Sequence, residues 1–187
     1  DPEVVAHLRA ENAYADALLG SSAAVRDAIY SEMVARIQET DASVPVARGE
    51  FHYYTRTEKG RQYEILCRRQ GDPVAAPEEI LLDENHLAAG QAYFHSGARE
   101  VSPDHRLLAY TVDTSGAERY DLFVMDLATR QIIDGPIHNV ASDVEWENDS
   151  RSFYYLELDA QMRPWVVKRH VLGQDVSKDD EVHREHD

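Results

Sequence analysis

Apolar residues in the first 40 positions recur at spacings of three and four, whereas beyond Pro45 they fall into short, aromatic-rich runs. The first pattern predicts two helices. Val4, Val5, Leu8, Ala15, Leu18 and Leu19 share one helical side. Asp1 is placed to cap that helix, Pro2 suits its first position, and Glu3 complements the dipole. Gly20 is expected to stop it and Ser21 or Ser22 to cap the next. The second helix carries Val25, Ile29, Met33 and Ile37 at i+4 steps, with Ala28 and Val34 beside them. It is expected to end in residues 40–43, and Pro45 prevents its resumption. Burying one Leu or Val side chain is worth about 1.5–3 kcal/mol. Two such stripes can cover each other only in part, so a further partner surface is expected.

The second pattern predicts three hairpins. Phe51, Tyr53, Tyr54 and Thr55 return through Tyr63, Ile65, Leu66 and Cys67 after a turn at Lys59-Gly60. Leu107, Leu108, Ala109, Tyr110 and Val112 turn at Ser115-Gly116 and return through Tyr120 and residues 122–125. Phe153, Tyr154, Tyr155 and Leu156 return through Trp165, Val166, Val167, Arg169 and Val171. The hairpins read as copies of one unit. Ser102-Pro103-Asp104-His105-Arg106 precedes the second and Glu147-Asn148-Asp149-Ser150-Arg151 the third, and both Arg106 to Arg151 and Tyr110 to Tyr155 span 45 residues. Such a repeat is the mark of a propeller blade, a small sheet that must stack on neighbours to bury both faces. Ala98 to Val101 and Val144 to Trp146 supply innermost strands of the second and third copies. The first copy lies 56 residues before the second, Tyr54 to Tyr110, and the excess around Asp83 to Ser96 is a longer connection. The expected fold is mainly β with an N-terminal α-helical segment. Residues 1–45 form that segment. Residues 46–187 form a partial β-propeller with blades near 48–83, 96–133 and 143–187. An ordinary antiparallel sandwich is the rival. Three blades do not close a ring, since propellers carry about four to eight.

Charge and chemistry narrow the functions. Nineteen basic residues against 35 acidic ones give a formal net charge of −16. That field disfavours nucleic acid and anionic lipid; it either attracts cationic peptides or confers solubility alone. No run of apolar residues is long enough for a membrane span. The N-terminus has no basic or apolar leader, and one cysteine forms no internal disulfide, so a cytoplasmic setting is expected. A start at Asp1 without methionine suggests a processed or excised chain. No Gly-x-Ser-x-Gly nucleophile turn occurs, and Gly20-Ser21-Ser22 is read as a helix junction. His183-Arg184-Glu185-His186 is not the His-Glu-x-x-His zinc pattern and lies in an acidic, unpatterned tail. Cys67 is read as a buried thiol, Asn148-Asp149-Ser150 as a turn, and Glu78-Glu79 and Asp179-Asp180-Glu181 as solvated. No catalytic residue, metal site or cofactor is expected.

An ordered set of short matches resembles the prolyl oligopeptidase family. Asp1 to Val5 with Leu8, Glu11-Asn12 and Tyr14 resembles its first helix. Tyr30 to Met33, Arg36-Ile37 and Ser43-Val44-Pro45 resemble its second helix and exit. Phe51 to Arg56, Gly60, Gln62-Tyr63 and Cys67-Arg68-Arg69 are similar to the first blade of the oligopeptidase B branch. Residues 79–83, Val101 to Asp104, Tyr110, Asp113, Arg119-Tyr120, Trp146, His170 and Leu172-Gly173 continue the match. The resemblance implies a seven-bladed propeller over an α/β-hydrolase domain of the same chain that holds a Ser-Asp-His triad and against which the early helices pack. It implies cleavage of short basic peptides after Arg or Lys, with the propeller gating entry. The triad and the acidic residues that hold the basic side chain lie beyond this segment, so it should be inactive alone. The loop Asn139 to Asp143 is expected to face the cavity. In the prolyl-specific branch an aromatic near that point lines the substrate site, but Val140-Ala141-Ser142 stand here and the role does not transfer, which leaves the substrate-binding residues unknown. The alternative is a stand-alone propeller-like interaction module without enzymatic activity that self-associates or binds partners through open sheet edges.

Overall fold

A computed structural model describes residues 1–186. The chain divides into two compact units, Asp1–Asp41 and Ala42–Asp187. In the first, α1 (Pro2–Leu19) leads through a single 3-10 turn, Gly20–Ser22, into α2 (Ala23–Ala35). Asp1 caps as its position predicts, Oδ1 accepting the Glu3 amide at 2.9 Å. The junction differs from expectation. Gly20 stays right-handed at φ −57°, so it does not reverse the chain, and the Ser22 hydroxyl donates back to the Leu19 carbonyl at 2.8 Å instead of capping α2. No residue of either helix is buried: Leu8 is 57% exposed and Ile29 52%.

The second unit is a mostly β structure whose sheets do not close, a partial β-propeller. Its first sheet runs β2 (Val46–Arg48), β3 (Phe51–Thr57), β4 (Ile65–Gln70), β5 (Glu79–Asp83), completed by the two-residue β1 (Asp41–Ala42) at the boundary between the units. The β3–β4 register sets Tyr54 opposite Cys67 and Thr55 opposite Leu66. A short helix α3 (Glu84–Leu87) follows, capped by Asp83, whose Oδ1 accepts the Asn85 amide at 2.9 Å. The connection from Asp83 to Ser96 is therefore partly helical.

The second sheet is a seven-stranded antiparallel run in chain order: β6 (His95–Val101), β7 (Leu107–Asp113), β8 (Tyr120–Asp126), β9 (Ile132–Trp146), β10 (Ser152–Leu158), β11 (Pro164–Val171) and β12 (Asp180–Arg184). Residues 139–143 are not the loop that the sequence predicts. They lie inside β9, a single 15-residue strand. Asn139 takes a left-handed φ of 61°, and the register shifts there. Up to Val140 the strand pairs with β8, and from Val140 to Trp146 with β10. A bulge at the left-handed Asn139 thus bends the strand from one partner to the next. The tail is likewise not unpatterned: Asp180–Arg184 pair with β11, and the Arg184 guanidinium lies 4.1 Å from the Trp165 ring centre.

Two large apolar clusters, beside a smaller one of Tyr54, Ile65 and Cys67, hold these sheets. One joins Tyr53, Leu66, Leu81 and Leu82 of the first sheet to Val101, Leu108, Tyr110 and Met125 of the second. The other packs Ala109, Leu122 and Val124 with Val140, Val144, Phe153 and Tyr155 across the bend of β9. Side chain to backbone bonds reinforce the first junction: Arg130 donates to the Ile80 and Leu81 carbonyls, and Arg68 to the His105 carbonyl at 2.6 Å. Of the carboxylates that read as solvated, the Asp179 side chain is buried against His170, and Glu78 accepts from Tyr54 and Arg56. Other carboxylates organise turns. Asp113 takes the amides of Ser115, Gly116 and Glu118, and Asp149 those of Arg151 and Ser152.

Candidate functional site

The first and second sheets meet around a polar cavity of about 220 Å³ lined by Gln62, Tyr63, Glu64, Glu84, His95, Ser96 and Arg99. Local chemistry fixes each wall. Asp83 starts α3, and this sets Glu84 on its first turn. Asn85 then clamps the chain opposite, its Oδ1 accepting the Tyr63 amide at 3.0 Å and its Nδ2 donating to the Tyr63 carbonyl at 2.9 Å. The Tyr63 ring stands edge-on to Phe94 at 5.1 Å. This fixes Glu64 just ahead of β4. The third wall is β6, which ends the sheet order.

The β6 backbone is irregular at this point, because its pairing with β7 shifts between Ser96 and Arg99. Thr111 repairs the break. Its Oγ1 accepts the Ala98 amide at 2.9 Å and donates to the Ser142 carbonyl on β9 at 2.8 Å. Gly97 permits that approach, since a Cβ there would lie 2.8 Å from the Ser142 Cβ and would also meet Thr111 Oγ1.

Electrostatically the cavity is a shared ion triad. Arg99 Nη1 donates to Glu64 Oε2 at 3.0 Å and to Glu84 Oε1 at 2.7 Å. The Glu84 side chain is 7% exposed and that of Glu64 44%. Burial pushes the Glu84 carboxyl above the ordinary range, and the Arg99 charge opposes that shift. His95 Nδ1 lies 2.9 Å from the Tyr120 hydroxyl. Such a group can bind, orient or hold a charged side chain.

The residues weighed from the sequence lie elsewhere. Cys67 is wholly buried in β4, and burial raises its thiol to about 11. Gly20 to Ser22 form the helix junction, and His183 sits on β12. Asn148 lies in the turn that Asp149 organises. Within the residues expected to line the cavity of the family, Val140 and Ala141 are buried, and Asn139 is tied to Arg119 and to the Leu158 carbonyl. Among the described residues no group of three or more His, Cys, Asp or Glu side chains is arranged to hold a metal ion, and no helix is long and apolar enough to cross a membrane. Sequence reasoning missed Glu64, Glu84 and Arg99. The Asp83-Glu84-Asn85 run carries a helix-cap signal, but nothing local points to Arg99.

The family model for the prolyl oligopeptidase N-terminal beta-propeller domain matches residues 1–187. The chain belongs to the prolyl oligopeptidase family. Within that family it is similar to dipeptidyl aminopeptidase BI of Pseudoxanthomonas mexicana, 36% identical over 99% of this chain and 28% of that protein. It is similar also to protease 2 of Moraxella lacunata, 33% identical over 99% of this chain and 28% of that protein. Among solved structures, oligopeptidase B from Leishmania major superposes with a TM-score of 0.90 at 35% identity, covering all of this chain and 27% of that one. Oligopeptidase B from Trypanosoma brucei, in a closed form with covalently bound antipain, gives 0.88 at 34%, covering 100% of this chain and 26% of that one. The chain spans little more than a quarter of the length of these relatives. It corresponds to the N-terminal propeller region of that family.

Proposed function

We propose that this chain is the non-catalytic front part of an oligopeptidase B-like serine peptidase that cleaves short peptides after Arg or Lys. The observation that carries this reading is the superposition of this whole chain on 27% of oligopeptidase B at 35% identity. In this reading residues 1–45 pack on the α/β-hydrolase domain of the same chain. That gives the exposed faces of α1 and α2 a partner, and burying each such side chain is worth about 1.5–3 kcal/mol. Blades near 48–83, 96–133 and 143–187 form part of a seven-bladed ring that restricts entry, with the intervening stretch of β9 shared between the last two. The Ser-Asp-His triad and the acidic pocket for the basic side chain belong to the rest of the peptidase. A cytoplasmic site of action fits a buried, unpaired Cys67.

Chromogenic peptides test this. The purified 187-residue chain is expected to leave Arg- and Lys-linked substrates intact. A longer chain that continues through a Gly-x-Ser-x-Gly turn is expected to cleave both and to spare a Pro-linked analogue. Hydrolysis by the short chain that a serine-directed inhibitor abolishes would overturn the non-catalytic assignment. Preference of the longer chain for Pro would overturn the specificity. The exposed helix faces also favour a second reading, an interaction module that self-associates. Sedimentation of the chain as a concentration-dependent dimer with those faces covered would support it.

A further inference from the structure

We propose that the cavity between the first and second sheets is a subsite for one cationic side chain, guanidinium or ammonium, of a bound peptide. The inference deepens the reading of the protein as a basic-peptide peptidase and rests on it. Carboxylates accept hydrogen bonds and donate none. A single nitrogen, Arg99 Nη1, serves both Glu64 and Glu84, so each carboxylate keeps an oxygen outside that pair of bonds. Ser96 adds a further acceptor: its hydroxyl stands beside Glu84, shielded from solvent, and its oxygen lone pairs face no donor. Two carboxylates against one guanidinium leave the site one negative charge in excess. A group rich in donors and positively charged is its complement, and an anion is not.

Size and place favour a side chain over a free ligand. The volume of about 220 Å³ falls below the roughly 300–1,000 Å³ of pockets that enclose whole small molecules. One wall is β6, the last strand in its sheet, along which an extended peptide can run while one side chain turns inward. Glu64 is the more exposed carboxylate and is the first that an entering cation meets.

Titration of the 187-residue chain with Nα-acetylarginine methylamide, followed by amide NMR shifts, tests the proposal. Saturable shifts at Ser96, Arg99 and Glu84 are expected, with a parallel response to acetyllysine methylamide. The neutral citrulline analogue should not bind, and putrescine, a dication without a peptide backbone, should bind more weakly. Glu64→Gln should weaken arginine binding about tenfold, as loss of one charge-assisted bond does, while amide shifts distant from the cavity stay in place. Absence of saturation, equal binding of citrulline, equal or tighter binding of putrescine, preference for acetylglutamate, or an unchanged affinity in Glu64→Gln would overturn it. Should Glu64→Gln fail to fold, the map of shifts on the unaltered chain decides, because shifts away from the cavity overturn the subsite. Cleavage after Arg by the longer peptidase is a separate result, so the subsite can fail while the peptidase assignment stands.

Discussion

At the residue scale, Gly97 and Thr111 show how one small and one hydroxylated side chain hold β6 against β9. Gly97→Ala adds a methyl where Ser142 leaves no room, and overpacking of this kind costs about 1–3 kcal/mol. Urea denaturation should show that loss. Glu147 offers a pH-dependent counterpart. Its carboxylate accepts from Arg169 Nε and Nη2 at 2.8 Å and from the Tyr154 hydroxyl, and the Arg169 bond foremost lowers its pKa to about 2. A depressed carboxylate stabilises the fold fully above its unfolded value, and that contribution is lost as pH falls through the folded one. The melting temperatures of Glu147→Gln and the parent chain should therefore differ at neutral pH and converge as pH falls from the ordinary 4.5 toward about 2. Neither feature was legible in sequence. A glycine in a strand pattern announces a close approach but not its partner, and Ser142 lies 45 residues away.

At the element scale, legibility followed the number of apolar side chains. The hairpins β3–β4, β7–β8 and β10–β11 were visible because their aromatic and branched residues fall in short runs bounded by turn residues. β12 was not: Val182 is its one aliphatic residue, and backbone pairing with β11 makes it a strand. What secures its approach is a buried polar group. His170, fully buried, places Nδ1 2.7 Å from Asp179 Oδ1 and Nε2 3.2 Å from Asp134 Oδ2, while the Tyr155 hydroxyl donates to Asp179 at 2.8 Å. His170→Ala leaves two carboxylates without that partner, and breaking a buried pair costs about 3–5 kcal/mol. Chemical denaturation should show the loss, and hydrogen exchange should quicken first at residues 180–184. The helices make the opposite case. Both helices form, although α2 ends at Ala35, short of Ile37 and of the expected end in residues 40–43, and none of their residues is buried in this chain. Isolated helices of 18 and 13 residues are marginal in water. Amides of residues 6–35 should therefore exchange far faster than those of β7 and β10.

At the scale of the whole molecule, the acidity takes on a second meaning. A net charge of −16 suggested a field for cationic peptides. The structure shows many of those carboxylates engaged at hairpin ends, where Asp113, Asp126, Asp149 and Asp159 each accept backbone amides and are held below the usual carboxylate range. Turn formation thus accounts for part of the composition that charge counting assigned to function. The repeat spacing, by contrast, carried the architecture well, because a blade's need for stacked neighbours shows in sequence as periodic aromatic hairpins. The cavity between the sheets stayed hidden for a physical reason. Glu64, Glu84 and Arg99 come from three separate segments and meet only once two sheets pack.

The bend in β9 has a consequence for modularity. In stacked repeats, stability is approximately a sum of unit and neighbour terms, and units can be added or removed. Here one strand is the last of one set of four and the first of the next, so no seam separates them. A single residue inserted next to Asn139 would turn the strand over, because side chains alternate with a period of two. Val140 and Val144, now 0% and 3% exposed, would face outward. Residues 95–184 should accordingly melt in one calorimetric transition, and a unit cannot be spliced out at this point as it could from an array of separate repeats.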